Sequence, residues 1–240
     1  MRRAAAFAAL ALLLPLGGCD GPWRGDGDRI ETAREFPPAD RPIAPTVSTK
    51  WSTEEARDRV NEAEDVMTSA DVRRGMTVAD IGAGDGYYTV RLAQRVGPSG
   101  RVLAQDIMPG VIERLADRVA RERLDNVSLK LGAIDDPRLP ENSFDRVFMV
   151  HMYHEVGEPY AFLWRLRPAL REGGQVIVVD RDRPIADHGT PFRLLVCEFE
   201  AVGYKLMSYD DKAHTGGYLA RFVPEGERPE PRAIKVCKGP

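Results

Sequence analysis

The sequence predicts a doubly wound α/β fold with a mainly parallel seven-stranded sheet and an antiparallel hairpin at one edge. Three observations predict it. From Thr77 onward, short apolar runs alternate with amphipathic segments, the pattern that gives a parallel sheet covered on both faces. A glycine-rich turn leaves the first of those runs and opens a helix. The last two apolar runs have only a short link between them, so they pair antiparallel.

The elements follow in order. Ser52-Thr53-Glu54-Glu55 fits a capping box, with Ser52 as N-cap and Glu55 reaching back. Ala56, Val60, Ala63 and Met67 then mark one apolar face, predicting a helix to about Ala70. Thr77–Ile81 reads as a strand, and Tyr87–Val96 as a helix closed by Gly97-Pro98. Arg101–Asp106 is a strand, Val111–Arg123 a helix, and Val127–Leu131 and Phe144–Val150 are strands. Pro159–Arg171 is a helix ended by Gly173-Gly174, before the strand Gln175–Asp180. Thr190–Val202 is a helix ended by Gly203, and Tyr204–Tyr209 and Tyr218–Val223 are the closing strands.

The chain has 240 residues, enough for one domain with a short appendage. Lys and Arg number 34 against 37 Asp and Glu, a formal charge of −3. No basic excess is present to hold a polyanion, so nucleic acid is not the expected partner. Three cysteines are too few for a disulfide framework. Cys197 and Cys237 can pair in an oxidising compartment, and the expectation for Cys197 is a small buried apolar residue.

The N-terminus is an address. Met1-Arg2-Arg3 is a basic leader, and Ala4 to Leu16 is an apolar run too short to span a bilayer. Leu16-Gly17-Gly18-Cys19 resembles the lipobox of bacterial lipoproteins. That resemblance implies a signal peptide over residues 1–18 and lipid on Cys19, enough acyl chain for a stable membrane anchor. Asp20 resembles an inner-membrane retention signal. The expected location is the periplasmic side of the cell envelope, on the inner membrane. Residues 19–50, with Pro22, Pro37, Pro38, Pro42 and Pro45 and no period, read as a flexible tether. The domain then occupies 51–223 and a tail 224–240.

In open α/β sheets the ligand sits beyond the carboxyl ends of the strands. The first strand leaves through Asp80-Ile81-Gly82-Ala83-Gly84-Asp85-Gly86. Alternate glycines let the backbone turn sharply against a ligand. The spacing is not that of a dinucleotide fingerprint, because Tyr87 stands where a glycine is required. The second strand ends in Asp106, about 20 residues further on, where a carboxylate can accept both ribose hydroxyls of a nucleoside.

Together these segments resemble motif I and the ribose-binding acid of class I S-adenosylmethionine-dependent methyltransferases, which have a Rossmann-like sheet. Gly132 to Asp145 resembles their adenine-binding stretch, and Leu170 to Gly174 the turn before their fifth strand. The resemblance implies S-adenosyl-L-methionine as cofactor. It places Gly82, Ala83, Gly84 and Gly86 along the methionine part and Asp80 near its ammonium. It places Asp106 on the ribose, Ile107 against the adenine, and Ile134 and Asp135 at the adenine edge. Ala133 stands where many relatives have Asp, so Asp135 is the expected polar contact to the adenine amine.

The fourth strand leaves through His151-Met152-Tyr153-His154-Glu155. Residues here lie between cofactor and acceptor in the family. Methyl transfer from a sulfonium needs positioning, and a base only if the acceptor must lose a proton. His154, Glu155 and Tyr153 are the candidate catalytic groups, and His151 is a candidate wall of the cofactor pocket. Two histidines beside a glutamate raise the question of a metal, but their spacing matches no zinc motif, so none is expected. Tyr87 and Tyr88 belong either to the pocket or to the core. His188 and His214 are expected in loops or at the surface, His214 at the pocket edge. The implied activity is methyl transfer to a small molecule or envelope component. The alternative is a non-catalytic exported lipoprotein using the fold as a binding or scaffold module, since export removes the chain from the cytoplasm where the cofactor is made.

Overall fold

A computed structural model describes residues 29–46, 53–212 and 214–239. The proposed signal peptide, Cys19, Asp20 and Ser52 lie outside the described residues. Two short helices, α1 (Glu54–Arg59) and α2 (Glu62–Ser69), precede the sheet. Then come β1 (Thr77–Ile81), α3 (Tyr87–Val96), β2 (Arg101–Asp106), α4 (Pro109–Glu122), β3 (Val127–Leu131) and β4 (Phe144–Val150). The chain continues through α5 (Pro159–Leu166), β5 (Leu170–Asp180), α6 (Phe192–Ala201), β6 (Tyr204–Lys212) and β7 (Gly217–Pro224).

The strand order is β3-β2-β1-β4-β5-β7-β6. The first five strands run parallel, while β7 is antiparallel to both β5 and β6. This is the expected sheet with its edge hairpin. Period-two alternation splits the core between two faces. Ala79, Val147, Met149, Val178 and Phe222 meet Leu163 and Leu166 of α5 and Leu195 and Phe199 of α6 on one face. Val78, Phe148, Ile177, Val179 and Leu219 meet Met67 of α2 and Leu92 and Val96 of α3 on the other.

Four expectations are corrected. The helix over 52–70 is two helices, broken at Asn61, which adopts a left-handed φ of 53°. Thr53, not Ser52, caps the first: its Oγ1 accepts from Ala56 N–H at 3.2 Å. The helix over 159–171 stops at Leu166 and tightens into a 3-10 turn over Arg167–Ala169. Pro168 has no N–H to continue it, and Gly173-Gly174 fall inside β5 near a bulge against β4.

The tether is the third correction. Residues 29–46 pack on the domain. Ala33 and Phe36 join the core, with Phe36 edge-on to Trp164 at 5.5 Å. Arg29 makes a two-pronged pair with buried Glu158, Nε to Oε1 at 2.9 Å and Nη2 to Oε2 at 2.6 Å. Arg41 pairs with buried Glu198 at 2.7 Å. The tail is anchored as well. Gly239 N–H donates to the Asp40 carbonyl at 3.0 Å, and Ile234 enters the core. The fourth correction is Cys197, which is exposed and forms a disulfide with buried Cys237.

Candidate active site

The carboxyl ends of the central strands open into a cavity of about 380 Å³, within the range of small-ligand sites. One part of its wall is the turn after β1. Gly82 and Gly84 line it with φ of +67° and +54°, a region that side chains avoid. A Cβ on Gly82 would lie 3.0 Å from Met152 Cγ. Ala83 shares this wall. Gly86 does not line the cavity. It is the left-handed residue before α3, and a Cβ there would meet Leu115 of α4 at 2.5 Å.

Asp106 at the end of β2 also lines the cavity. Its Oδ2 accepts from Gly84 N–H at 3.1 Å and its Oδ1 from Met108 N–H at 3.0 Å. The carboxylate is thereby fixed between two loops, and each oxygen keeps a lone pair for a ligand hydroxyl. Ile107 and Ile134 line the same region and are 39% and 45% exposed, leaving apolar surface for a flat ring.

Two expected cofactor contacts are turned away. Asp80 is buried beneath the turn and does not line the cavity; its Oδ2 accepts from Thr89 Oγ1 at 2.6 Å. Burial pushes its carboxyl up to about 6, against the bond from Thr89. Asp135 is also buried. It pairs with Arg165 of α5 and accepts from Thr32 Oγ1 at 2.6 Å. The packed N-terminal segment and α5 thus occupy the carboxylate assigned to the adenine edge.

The strand-4 exit divides in the same way. Tyr153 is fully buried and donates its hydroxyl to Glu198 at 2.7 Å, beside Arg41. It belongs to the core and not to the catalytic set. His151, His154 and Glu155 line the cavity. His151 has a left-handed φ of 54°, and its N–H donates to the Val179 carbonyl at 2.8 Å. Its Nε2 lies 3.6 Å from Glu62 Oε1. His154 is 1% exposed. Its Nδ1 lies 3.1 Å from Asp180 Oδ2, while its buried Nε2 has no hydrogen-bond partner.

Sequence reasoning missed three participants. Glu62 of α2 lines the cavity, accepting from Tyr88 Oη at 3.1 Å and Arg57 Nη2 at 2.5 Å. Burial works to raise its carboxyl, but His151 and Arg57 outweigh it and hold it down to about 2. A signal existed, since Glu62 is a charge set four residues before Val66 on the buried face. Asp180 was visible only as a strand end. His188 lines the cavity from the loop after β5, its ring edge-on to that of His154 with centroids 5.5 Å apart. One ligand atom each from His154, Glu155 and His188 lie within 4.8 Å of one another. Tyr87 also lines the cavity while Tyr88 is core, and Thr215 rather than exposed His214 reaches its edge. The helices before the sheet contribute Thr53, Glu54 and Arg57 to the wall, and Arg118 of α4 fastens Glu54 at 2.5 Å.

Residues 78–174 match a family described as a methyltransferase domain. A protein-L-isoaspartate O-methyltransferase of Methanothrix thermoacetophila is 32% identical over 108 residues, 45% of this chain and 49% of that protein. A demethylmenaquinone methyltransferase of Geobacillus is 28% identical over 121 residues, 50% of this chain and 52% of its own. The chain spans about half the length of these curated relatives. A solved S-adenosylmethionine-dependent methyltransferase of Aquifex aeolicus superposes with a TM-score of 0.65 at 22% identity, covering 70% of this chain and 92% of that one. The [4+2]-cyclase SpnF superposes with a TM-score of 0.61 at 15% identity, covering 78% and 100%. The fold is that of the class I methyltransferases, and the matched domain and its structural neighbours imply S-adenosyl-L-methionine as cofactor. The glycine turn, the fixed Asp106 carboxylate and the exposed Ile107 and Ile134 fit that molecule.

Proposed function

We propose that this protein is an exported, lipid-anchored enzyme that transfers the methyl group of S-adenosylmethionine to a small molecule or envelope component. The observation that carries the reading is the bond from Gly84 N–H to Asp106 at a cavity also lined by His151, His154 and Glu155. The relatives' names agree on methyl transfer and differ on the acceptor, so the acceptor reading rests on the site.

When bound, the cofactor supplies an electrophilic methyl group. The chain's residues hold and orient. Asp106 would take the ribose hydroxyls, Gly82 and Gly84 the methionine backbone, and Ile107 and Ile134 the adenine faces. Glu62, locked by Arg57 and Tyr88, places a carboxylate at the wall whose charge Arg57 balances in the same lining. His154 and Glu155 supply the polar groups for an acceptor that must lose a proton.

The Cys197–Cys237 disulfide supports an oxidising compartment, consistent with cleavage before Cys19, a lipid on that residue and an inner-membrane location. Two experiments test the proposal. Full-length protein in detergent, given methyl-labelled S-adenosylmethionine and an envelope extract, should label a product; absence of label despite cofactor binding counts against catalysis. Labelled fatty acid should enter the chain in bacteria and be lost in Cys19→Ala. Equal labelling of that variant overturns the anchor.

A further inference from the structure

We propose that His154, Glu155 and His188 form a binding site for a divalent first-row transition ion, with zinc the best match, at the wall of the cavity.

The donor set comes from two chain segments that the fold brings together. His154 and Glu155 sit on a 3-10 turn, Tyr153–Glu155, after β4. His188 follows a second 3-10 turn, Ile185–Asp187, after β5. Parallel pairing of β4 with β5 sets the two exits side by side. Two imidazoles and one carboxylate make the set typical of a three-ligand zinc site that keeps one position for a ligand. Harder ions such as magnesium and calcium prefer oxygen-only sets.

The independent observation is the state of His154. Its side chain is 98% buried, given its 2% exposure. A buried polar nitrogen without a partner is costly, and such a group calls for an explanation. His154 Nε2 has none among the described residues, and the ring lines the cavity. The opposite nitrogen is held by Asp180 at 3.1 Å. Asp180 is itself fixed by Thr190 Oγ1 at 2.7 Å and by Arg181 N–H at 2.8 Å. A carboxylate behind an imidazole keeps the proton on Nδ1, orients the ring, and leaves Nε2 as a lone pair aimed outward. That is the supporting arrangement of metal-bound histidines.

The separations are close to what an ion requires. The three ligand atoms lie within 4.8 Å of one another. Zinc bonds of about 2.0–2.1 Å in a tetrahedron put ligand atoms roughly 3.3 Å apart. Binding an ion would draw the half-buried Glu155 and His188 toward the buried His154.

A consequence follows if the methyl-transfer reading holds. A hydroxyl of the acceptor at the open position would pass its proton to solvent water more easily beside the cation. The ion would then stabilise the resulting alkoxide, with His154 and Glu155 acting as its ligands and not as bases. The site itself does not rest on that reading.

The test is metal binding by the full-length chain in detergent, stripped with a chelator and titrated with zinc against a chromogenic competitor. The expected result is one zinc per chain. Affinity should fall at least tenfold in His188→Ala and in Glu155→Gln, and be unchanged in His214→Ala. His154→Ala should abolish binding if it folds. Because its ring is buried, the His188 and Glu155 variants, checked for wild-type circular dichroism, decide the matter without it. Absence of stoichiometric binding, or equal affinity in both folded variants, overturns the site. Cofactor titration on the same preparation separates the two claims, since zinc binding without cofactor binding leaves the site standing and overturns the cofactor reading.

Discussion

The Nδ1 of His154 lies 3.1 Å from Asp180 Oδ2 in a pocket where both side chains are almost wholly buried. An ionised carboxylate only accepts hydrogen bonds, so the imidazole must donate from Nδ1. In the neutral imidazole that donation leaves Nε2 bare, so the tautomer is set from β5, the strand beside the one that leads to His154. Long-range ¹⁵N NMR should show His154 as the Nδ1–H form at neutral pH. Asp180→Asn offers an amide N–H as well as a carbonyl and should release the ring to mixed tautomers. An Nε2–H form in the unmodified protein would contradict the arrangement.

Asp106 joins two loops as well as facing the cavity. Asp106→Ala removes the acceptor of Gly84 N–H and Met108 N–H and the carboxylate that would hold the ribose. Hydrogen bonds to a charged group contribute about 1.5–3 kcal/mol each. Calorimetric titration of S-adenosylmethionine should therefore show affinity reduced about 10- to 100-fold or more, with secondary structure retained. Unchanged affinity would remove Asp106 from the ribose.

The sheet was legible because each strand carries its own period. β1, β2, β3 and β4 start and stop where apolar alternation does, and Gly82, Gly84 and Asp106 stand at strand exits where ligand contacts are expected. Direction was not legible. Tyr153 and His154 are consecutive on one 3-10 turn, yet one faces the core and the other the cavity. Asp80 and Asp135 matched the motif but point to Thr89 and Arg165. Residues 29–46 show no period because single residues, Arg29, Phe36 and Arg41, hold them to distant partners. His188 and Asp180 join His154 only through β4–β5 pairing.

Ionisation of Asp80 weakens the fold. Its carboxyl is raised to about 6 from an ordinary 3.8 by burial. Between those values the native state holds a proton that the unfolded chain has lost. Stability should therefore fall as pH rises through this window, by about 3 kcal/mol, and stay lower above it. Asp80→Asn keeps an oxygen for Thr89 without the charge. Urea unfolding should find this variant more stable than the parent at pH 7.5 by about 2–3 kcal/mol, and nearly equal below the lower value. A destabilised variant at pH 7.5 would mean that the charge at Asp80 is itself supported by the fold.

Glu62 has the opposite sign. His151 and Arg57 overcome the penalty of burial and hold its carboxyl at about 2, below the ordinary 4.5. The native state therefore binds fewer protons than the unfolded chain between these values. Its contribution is complete above the upper value and is lost as pH falls toward the lower one, by about 3 kcal/mol. Glu62→Gln breaks the pair with Arg57 on the buried face of α2 and leaves the guanidinium over Tyr87 without its carboxylate. The variant should be less stable at pH 7, and its urea midpoint should fall less steeply than the parent's on acidification from pH 5 to 2. Parallel slopes for the two proteins across that range would show that Glu62 is not held ionised by these neighbours.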